Sequence, residues 1–325
     1  MSLYKKVTIG NVTTNGNLFV APLAGYTDAP FRHICLAQGA NLAFSEMVSC
    51  EGLWRENEST RILTRRAAGE EVLALQLFGG NVEAVQKSVP VAMKANPQIL
   101  DFNCGCPVPK VHRSHSGSAL LQDPILFYSL LKTLRQEAPP HVAVTVKIRS
   151  GWDSEKINYL LIAEKALDAG VDMITLHPRT RAQGYTGFAN WQHLKDLKRR
   201  FPQALICGSG DLFTPEDAKR MLEETGVDAV MFARGVIGNP TIFIQTRNLL
   251  IQGSYEPVDS KTKKQIAFNH LQTIFAIDHS VHALRDFKKH LISYAKGIPD
   301  WRPMRETFAR LEDPQAAMEL LQRVM

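Results

Sequence analysis

Eight short, almost wholly apolar segments follow one another through the first part of this chain, and stretches of helical character separate them. Uninterrupted apolar runs are typical of parallel strands that helices cover on both faces. Strands and helices that alternate over about 240 residues predict a (β/α)8 TIM barrel, an α/β fold that needs roughly 250 residues. A doubly wound open sheet is the alternative, but no Gly-x-Gly-x-x-Gly turn follows the first strand. The predicted strands are residues 18–22, 41–45, 72–77, 99–102, 143–148, 173–177, 204–207 and 229–232.

Signals for helix ends lie between several of these strands. Asp28, Asp123 and Thr214 each precede a proline by one or two residues, a pattern typical of N-terminal helix caps. Thr27 is an alternative cap for the first of these helices. Gly226 lies beyond the helix that begins near Thr214, where a glycine commonly ends a helix. These signals support the alternation that a barrel requires.

The end of the chain has a different pattern. Residues 253–257, Gly-Ser-Tyr-Glu-Pro, have the composition of a linker. From residue 258 to residue 325 apolar side chains recur at helical spacing, and many lysines and arginines stand between them. The sequence therefore predicts two domains, a barrel over residues 1–250 and an all-helical C-terminal domain over residues 258–325.

Composition and charge limit where in the cell the protein can be located and what kind of partner it can bind. No apolar run approaches the ~18–20 residues that span a bilayer, and no apolar signal core follows the N-terminal lysines. The five cysteines are scattered and odd in number, which is typical of reduced thiols in a cytoplasmic protein. The net charge of +6 permits a polyanionic partner without requiring one, because solubility explains it equally well. We expect a cytoplasmic protein with no membrane segment.

Candidate ligand-binding residues stand just after predicted strands, where barrel enzymes build their active sites. The seventh strand leads into Gly208-Ser209-Gly210-Asp211 and the eighth into Ala233-Arg234-Gly235. Glycine-bearing turns with a cation beside them suit a phosphate group, although the glycines could simply make tight turns. Lys147 lies in an apolar strand, where a lysine is costly unless it contacts an electron-rich ligand or reaches water. Gln76 and His177 end the third and sixth strands and complete a candidate ring.

Cys106 ends the fourth predicted strand, within Asn103-Cys104-Gly105-Cys106-Pro107. Cysteine is most often a small buried hydrophobe, but the proline and the basic residues that follow oppose this interpretation. A metal site with the nearby histidines does not match structural zinc spacing, and we expect no metal. Two roles for Cys106 remain: a nucleophile with a lowered pKa, and a general acid. An unperturbed thiol, with a pKa of about 8.5, is mostly protonated at neutral pH and can donate a proton.

Nine motifs occur in a fixed order along the chain. They are APLAGYTD from Ala21, SEM from Ser45, QLFG from Gln76, NxGCP from Asn103, GSALL from Gly117, VKIRSGW from Val146, HPRTR from His177, Gly210-Asp211, and Ala233-Arg234-Gly235. This set resembles the tRNA-dihydrouridine synthases of bacterial type, a family of FMN-dependent enzymes. The resemblance covers residues 18–245 and extends more loosely into the tail through His290-Leu291-x-x-Tyr294.

The resemblance implies reduction of the C5=C6 bond of a uridine in tRNA, with NADPH reducing the FMN. The flavin would deliver hydride to C6, and Cys106 would give its proton to C5 as a general acid. The helical tail would bind tRNA. Asn103 and Arg179 resemble the uracil contacts of the family, and Lys110 and Arg113 lie in a loop expected to close over the base. The FMN contacts implied by motif are Pro22, Leu23, Ala24, Gln76, Lys147, His177, Ser209, Gly210, Asp211, Ala233 and Arg234.

Some positions depart from the family pattern, and rival functions remain. Ser209 stands where the family commonly has asparagine, and Pro178 and Ala233 stand where it commonly has glycine. One rival is an FMN barrel enzyme that reduces a free pyrimidine, although such an enzyme does not need a basic helical appendage. Another is a non-catalytic tRNA-binding protein, which the intact Cys106 and Lys147 oppose. We expect a monomer. The sequence decides neither which uridine is reduced nor NADPH over NADH.

Overall fold

The structure is a computed structural model that describes residues 2–112, 114–296, 298 and 301–324. Its strands are β1 (Val7–Ile9), β2 (Val12–Thr14), β3 (Leu18–Val20), β4 (Leu42–Ala43), β5 (Val48–Ser49), β6 (Ala74–Phe78), β7 (Ile99–Cys104), β8 (Ala143–Gly151), β9 (Met173–Thr180), β10 (Ile206–Ser209) and β11 (Ala229–Phe232). Its helices are α1 (Ala29–Ala37), α2 (Cys50–Trp54), α3 (Glu58–Ile62), α4 (Val82–Ala92), α5 (Pro109–His112), α6 (Pro124–Glu137), α7 (Tyr159–Asp168), α8 (Gln192–Arg200), α9 (Pro215–Thr225), α10 (Ile242–Gln252), α11 (Ser260–Phe275), α12 (Val281–Tyr294), α13 (Trp301–Arg310) and α14 (Pro314–Arg323).

Strands β3 to β11 form one parallel sheet in the order β4-β3-β11-β10-β9-β8-β7-β6-β5. The sheet closes on itself where Phe44, just after β4, pairs with Ala74 of β6. Across the same junction the backbone N–H of Ser45 donates to the carbonyl oxygen of Ala74 at 2.9 Å. Every strand predicted from an apolar run is present, and β5 is a short addition beside β6. The predicted (β/α)8 barrel is confirmed.

A hairpin that the sequence analysis did not predict covers the N-terminal end of the barrel. Strands β1 and β2 pair antiparallel around a turn at Gly10, whose φ is +55°. Val7, Ile9 and Val12 are buried in one cluster with the side chains that fill the barrel interior, including Phe19. The hairpin therefore seals one end of the barrel and leaves the carboxyl ends of the strands for a ligand.

The helices begin and end where the sequence places their signals. Asp28, Asp123 and Thr214 cap α1, α6 and α9 through their side-chain oxygens. Thr214 and Asp217 form a reciprocal capping box, and Gly226 ends α9 in the left-handed conformation with a φ of +71°. Because α1 starts directly after the loop that follows β3, its cap also fixes one wall of the cavity described below.

Beyond α10, the described residues form the helices α11 to α14, joined by short loops, as predicted. Helices α11 to α14 bury an apolar cluster of their own that includes Leu271, Phe287 and Trp301. Ile34 of α1 belongs to the same cluster, and the ring of Phe31 lies 4.7 Å from the ring of His290, centroid to centroid. The tail therefore packs on the first helix of the barrel. Among the described residues, no helix is both long enough and apolar enough to span a membrane.

Candidate active site

A cavity of about 490 Å³ opens at the carboxyl ends of the barrel strands. Each of the eight barrel strands, or the loop that follows it, contributes to the lining, so residues far apart in sequence meet there. The lining includes Asn103, Cys106 and every residue that the sequence analysis assigned to a cofactor: Pro22, Leu23, Ala24, Gln76, Lys147, His177, Ser209, Gly210, Asp211, Ala233 and Arg234. The sequence therefore predicted which residues the fold brings together.

One end of the cavity has the features of an anion site. Apart from the ladder between β10 and β11, the backbone N–H groups of Gly210 and Asp211 make no hydrogen bond with any residue that the structure describes. Gly210 has a φ of +117°, and a Cβ there would lie 3.1 Å from the His177 ring. In the adjoining loop, a Cβ on Gly235 would lie 2.1 Å from the carbonyl oxygen of Leu212. Only glycines allow these two loops to approach so closely, and free N–H groups are what a phosphate requires.

Basic side chains give the cavity a positive potential. Burial and the neighbouring Arg149 lower the pKa of Lys147 to about 8, so its ammonium group stays mostly charged at neutral pH. Burial also lowers the pKa of His177 well below its ordinary value, and Lys147 and Arg149 lower it further. His177 is therefore neutral and can donate or accept a hydrogen bond. This combination suits an electron-rich or anionic ligand.

A chain of hydrogen bonds runs from the barrel interior to the Cys106 loop. The carboxylate of Asp101 accepts from Gln76 Nε2 and from Thr145 Oγ1, both at 2.6 Å. Gln76 Oε1 accepts from Asn103 Nδ2 at 2.8 Å. Asn103 Oδ1 in turn accepts from the backbone N–H of Cys106 at 2.9 Å. An ionised carboxylate only accepts, so Asp101 fixes which way both amides point. Gln76 therefore keeps one Nε2 hydrogen for a ligand, whereas Asn103 Nδ2 also makes a weak hydrogen bond to Met47 Sδ at 3.9 Å.

The loop that carries Cys106 is anchored on both sides of the cysteine. Arg149 Nε donates to the carbonyl oxygen of Gly105 at 2.8 Å, and Ser118 Oγ donates to that of Cys106 at 2.9 Å. Gly117 packs against the same carbonyl, because a Cβ there would lie 3.0 Å from the Cys106 oxygen. The cysteine is half-buried, and burial raises the pKa of its thiol, although a hydrogen bond from the backbone N–H of Val108 and the cations Arg149 and Lys147 act against this effect. The group that faces the cavity at neutral pH is a thiol.

The two neighbouring cysteines have different surroundings. Cys104 is fully buried in the apolar cluster between the barrel and its helices, and burial raises the pKa of its thiol well above the ordinary value. Cys106 lines the cavity instead. Cys104 is the last residue of β7, whereas Cys106 lies beyond the strand in the loop that follows it, which explains the difference.

The predicted substrate residues are distributed differently. Asn103 lines the cavity. Arg179 is buried, and its Nη2 donates to the Asp211 carboxylate at 2.7 Å and to the carbonyl oxygen of Gly187 at 2.6 Å. It therefore reaches the cavity through Asp211 and braces the loop after β9. Lys110 lies in α5 but its side chain is outside the described part of the structure, and Arg113 lies outside the described residues.

Sequence reasoning assigned no role to several residues that the structure brings to the site. Arg149 is 2% exposed and donates from Nη1 to the carbonyl oxygens of Thr180 and Gly184, both at 2.9 Å. The sequence did contain a signal for Arg149, because Lys147 and Arg149 stand two residues apart and therefore share one face of β8. Asp101 was also visible as a carboxylate inside an apolar run. Tyr185 gave no such signal, because only the folded loop brings it to the cavity.

The fold and the cavity define a (β/α)8 barrel of the type that carries out chemistry at the carboxyl ends of its strands. Comparison with known proteins assigns this barrel to a family. The family model described as dihydrouridine synthase matches residues 19–325. The chain belongs to the dihydrouridine synthase family.

Individual relatives agree with this assignment. A protein of Treponema pallidum (strain Nichols), named probable tRNA-dihydrouridine synthase, is 40% identical over 303 residues, covering 91% of this chain and 89% of its own length. The tRNA-dihydrouridine synthase B of Pseudomonas syringae pv. tomato is 35% identical over 95% of this chain and 91% of its own length. Among solved structures, 2-naphthoyl-CoA reductase in complex with 2-naphthoyl-CoA superposes with a TM-score of 0.60 at 13% identity, over 76% of this chain and 52% of that chain. That similarity concerns the fold.

Proposed function

We propose that this protein is a tRNA-dihydrouridine synthase that reduces the C5=C6 bond of a uridine in tRNA, with FMN in the barrel cavity and NAD(P)H as reductant. The observation that carries the proposal is the cavity itself. It combines a glycine-built anion site, a ring of basic groups and a protonated, anchored thiol at Cys106. Membership of the dihydrouridine synthase family supports the same activity.

The residues of the cavity suit FMN. Its phosphate would meet the N–H groups of Gly210 and Asp211, together with Arg234. Lys147 and the neutral His177 would face the electron-rich ring system, with Pro22, Leu23 and Ala24 beneath it. The cavity volume falls within the ~300–1,000 Å³ that small-molecule sites occupy. Bound FMN would supply a hydride equivalent obtained from NAD(P)H.

Cys106 would act as the general acid. As hydride adds to C6 of the uracil, the S–H bond of Cys106 breaks and a C5–H bond forms, so that the C5=C6 double bond becomes a single bond. The thiolate that results would be stabilised by the backbone N–H of Val108 and by the cations Arg149 and Lys147, all of which oppose the rise of the Cys106 pKa. Solvent then returns a proton to the sulfur. The thiol therefore stays protonated until its proton is transferred to C5.

The hydrogen-bond chain would orient the pyrimidine. Gln76 Nε2 gives one hydrogen to Asp101 and would offer the other to a ligand, and Asn103 would offer the N–H that contacts Met47 Sδ at 3.9 Å. Uracil and flavin both offer carbonyl oxygens as acceptors. We assign Asn103, Arg179, Lys110 and Arg113 to the uracil and its surroundings. Arg179 would act mainly by holding the loop after β9.

The helical tail, residues 258–325, would supply the tRNA-docking surface. A uridine inside a folded tRNA must leave its stack to reach the cavity, at a cost of a few kcal/mol. Contacts between phosphates and basic side chains of the tail could offset this cost. An enzyme for a free pyrimidine would need neither the extraction nor the tail, so the tail favours tRNA as the substrate.

The test is reconstitution from pure components. The protein is loaded with FMN, supplied with NADPH, and incubated with tRNA that lacks dihydrouridine; the modified nucleoside is then measured by mass spectrometry. We expect dihydrouridine from the wild type and from Cys104→Ala, and a loss of at least a hundredfold in Cys106→Ala with FMN still bound. Reduction of free uracil in place of tRNA, or full activity of Cys106→Ala, would contradict the proposal.

A further inference from the structure

Exposed aromatic side chains are concentrated in one place on this protein. Among the described residues, the aromatic side chains classed as exposed are Tyr185 at 53%, Phe188 at 90% and Phe213 at 47%. All three line one groove of about 660 Å³ at the edge of the barrel mouth. We call this the rim groove and define it by Tyr185, Phe188, Trp191, Phe213, Arg220 and Arg234. Large exposed aromatics that converge on a concave surface are typical of a binding site.

Guanidinium groups lie against the rings of the rim groove. Arg234 stands 4.8 Å from the ring centroid of Tyr185 and 5.3 Å from that of Phe213. Arg220 stands 5.1 Å from the ring centroid of Trp191. Both side chains remain substantially exposed, at 40% for Arg234 and 57% for Arg220. Flat rings beside exposed guanidinium groups suit a ligand that carries both an aromatic base and a phosphate.

The carboxylates of the rim groove are largely committed to the protein itself. Asp211 accepts from Arg179 and from the backbone N–H of Ala189, at 2.7 Å in each case. Asp217 accepts from the backbone N–H groups of Phe213 and Thr214, each at 3.0 Å. These bonds hold the loops of the groove in place. Arg234 pairs with Asp211 at 3.3 Å and Arg220 with Glu224 at 3.3 Å, but both arginine side chains stay exposed enough for a ligand to reach them.

The most exposed ring stands on an anchored frame. Arg179 holds the carbonyl oxygen of Gly187 at 2.6 Å, and Asp211 holds the N–H of Ala189 at 2.7 Å, so the backbone is fixed on both sides of Phe188. Phe188 itself is 90% exposed and contributes little to the core. A fixed backbone on both sides of an exposed phenyl ring lowers the entropy cost of stacking a ligand on that ring.

The rim groove continues into the active-site cavity. Tyr185, Asp211, Phe213 and Arg234 line both spaces. The groove lies on the loops after β9 and β10, whereas Lys289 of α12 in the tail approaches the loop after β3, near Tyr26. A polymer with one unit in the cavity can therefore extend along the groove on a part of the rim that the tail does not form.

We propose that the rim groove binds an unpaired nucleotide of the RNA substrate, adjacent in the strand to the uridine in the cavity. The base stacks on Phe188 and Phe213, and its phosphate contacts Arg220. The inference rests on the proposed function, because it takes the uridine of an RNA as the occupant of the cavity. Sequence-tolerant stacking of this kind occurs in proteins that bind single-stranded RNA.

The test uses the full-length protein with FMN bound and measures two ligands separately. We expect Phe188→Ala to raise the Kd for tRNA about tenfold, while the rate at which NADPH reduces the flavin stays unchanged. Phe213→Ala should raise the Kd for tRNA by a similar factor. Phe188→Trp should retain the wild-type affinity, because the indole also stacks. Ile125→Ala is the matched control, since Ile125 is an apolar side chain 81% exposed on α6 and should leave both measurements unchanged.

Each other result overturns the inference. An unchanged Kd for tRNA with a raised KM for NADPH would assign the groove to the reductant, and no change in either would show that it holds no ligand. Loss of affinity in Phe188→Trp would exclude stacking. The binding assay is independent of chemistry: if the wild type forms no dihydrouridine, the proposed function fails, but a tenfold shift in tRNA binding would still support the groove.

Discussion

The protonation state of Cys106 gives the sharpest prediction about the chemistry. An ordinary thiol has a pKa of about 8.5, so about 3% of it is thiolate at pH 7. Burial raises the pKa of Cys106, so its thiolate fraction at pH 7 is smaller still. A general acid works in the protonated form, whereas a nucleophile works as the thiolate. The two roles therefore predict opposite dependences on pH.

For the acid role, the rate of the chemical step should be level from about pH 7 to pH 8 and should fall above the raised pKa of Cys106. Below pH 7 the rate should also fall, because burial raises the pKa of Asp101 to about 6 and its protonation releases the neighbouring amides. For the nucleophile role, the rate should rise nearly tenfold per pH unit from about pH 7 to pH 8, because the thiolate fraction does. Removing the acid in Cys106→Ala should slow the step 10²- to 10⁴-fold, or about 3 to 5 kcal/mol in the activation free energy.

The assay is a single-turnover experiment in which prereduced, FMN-loaded protein is mixed with saturating tRNA and flavin reoxidation is followed by absorbance. Saturation removes effects on binding, which matter because Lys147 titrates near pH 8. Cys106→Ser provides the internal control: its hydroxyl does not ionise in this range, so the fall at high pH that belongs to the thiol should disappear. A rate that climbs steadily from pH 7 to pH 8, or a Cys106→Ala enzyme within threefold of wild type, would refute the reasoning.

Three further predictions concern the frame around the site. Asp101→Asn can no longer impose one orientation on the neighbouring amides, so we expect a 10- to 100-fold slower single turnover with a melting temperature close to wild type. Glu70→Ala leaves the buried guanidinium of Arg32 unpaired, since Nε loses its 2.8 Å partner, and should lower the free energy of unfolding in urea by about 3 to 5 kcal/mol. Gly235→Ala places a Cβ 2.1 Å from the Leu212 carbonyl oxygen and should weaken FMN binding in fluorescence titrations while the protein remains folded.

The barrel could be predicted because its signals are local. An apolar run or a cap such as Asp123 before a proline is complete within a few residues, so one sequence suffices to place it. The hairpin was missed because β1 and β2 have three residues each, too few to show a period. The apolar side chains of the hairpin are buried only because the barrel has an open end that the hairpin covers.

Site residues could be predicted from the sequence where they stand at the end of a predicted strand. Residues such as Lys147 and His177 stand directly on strands, and parallel strands carry them to one mouth. The partners of Asp101 could not be predicted, because the register of β6, β7 and β8 decides that Gln76 and Thr145 meet its carboxylate. The rim groove depends on two loops whose relative placement no local pattern encodes.

Helix α1 is synthesised well before the helices that cover its outer face. It is made from residues 29–37, yet Ile34 belongs to the apolar cluster of α11 to α14, and Phe31 lies against His270 and His290. At a synthesis rate of about 5–20 residues per second, those partners follow α1 out of the ribosome by roughly 12 to 50 seconds. During that interval the outer face of α1 is an uncovered apolar surface on the nascent chain. Helices α11 to α14, which are translated after the barrel, thus cover the outer face of α1, and a chain truncated before α11 would expose that apolar surface.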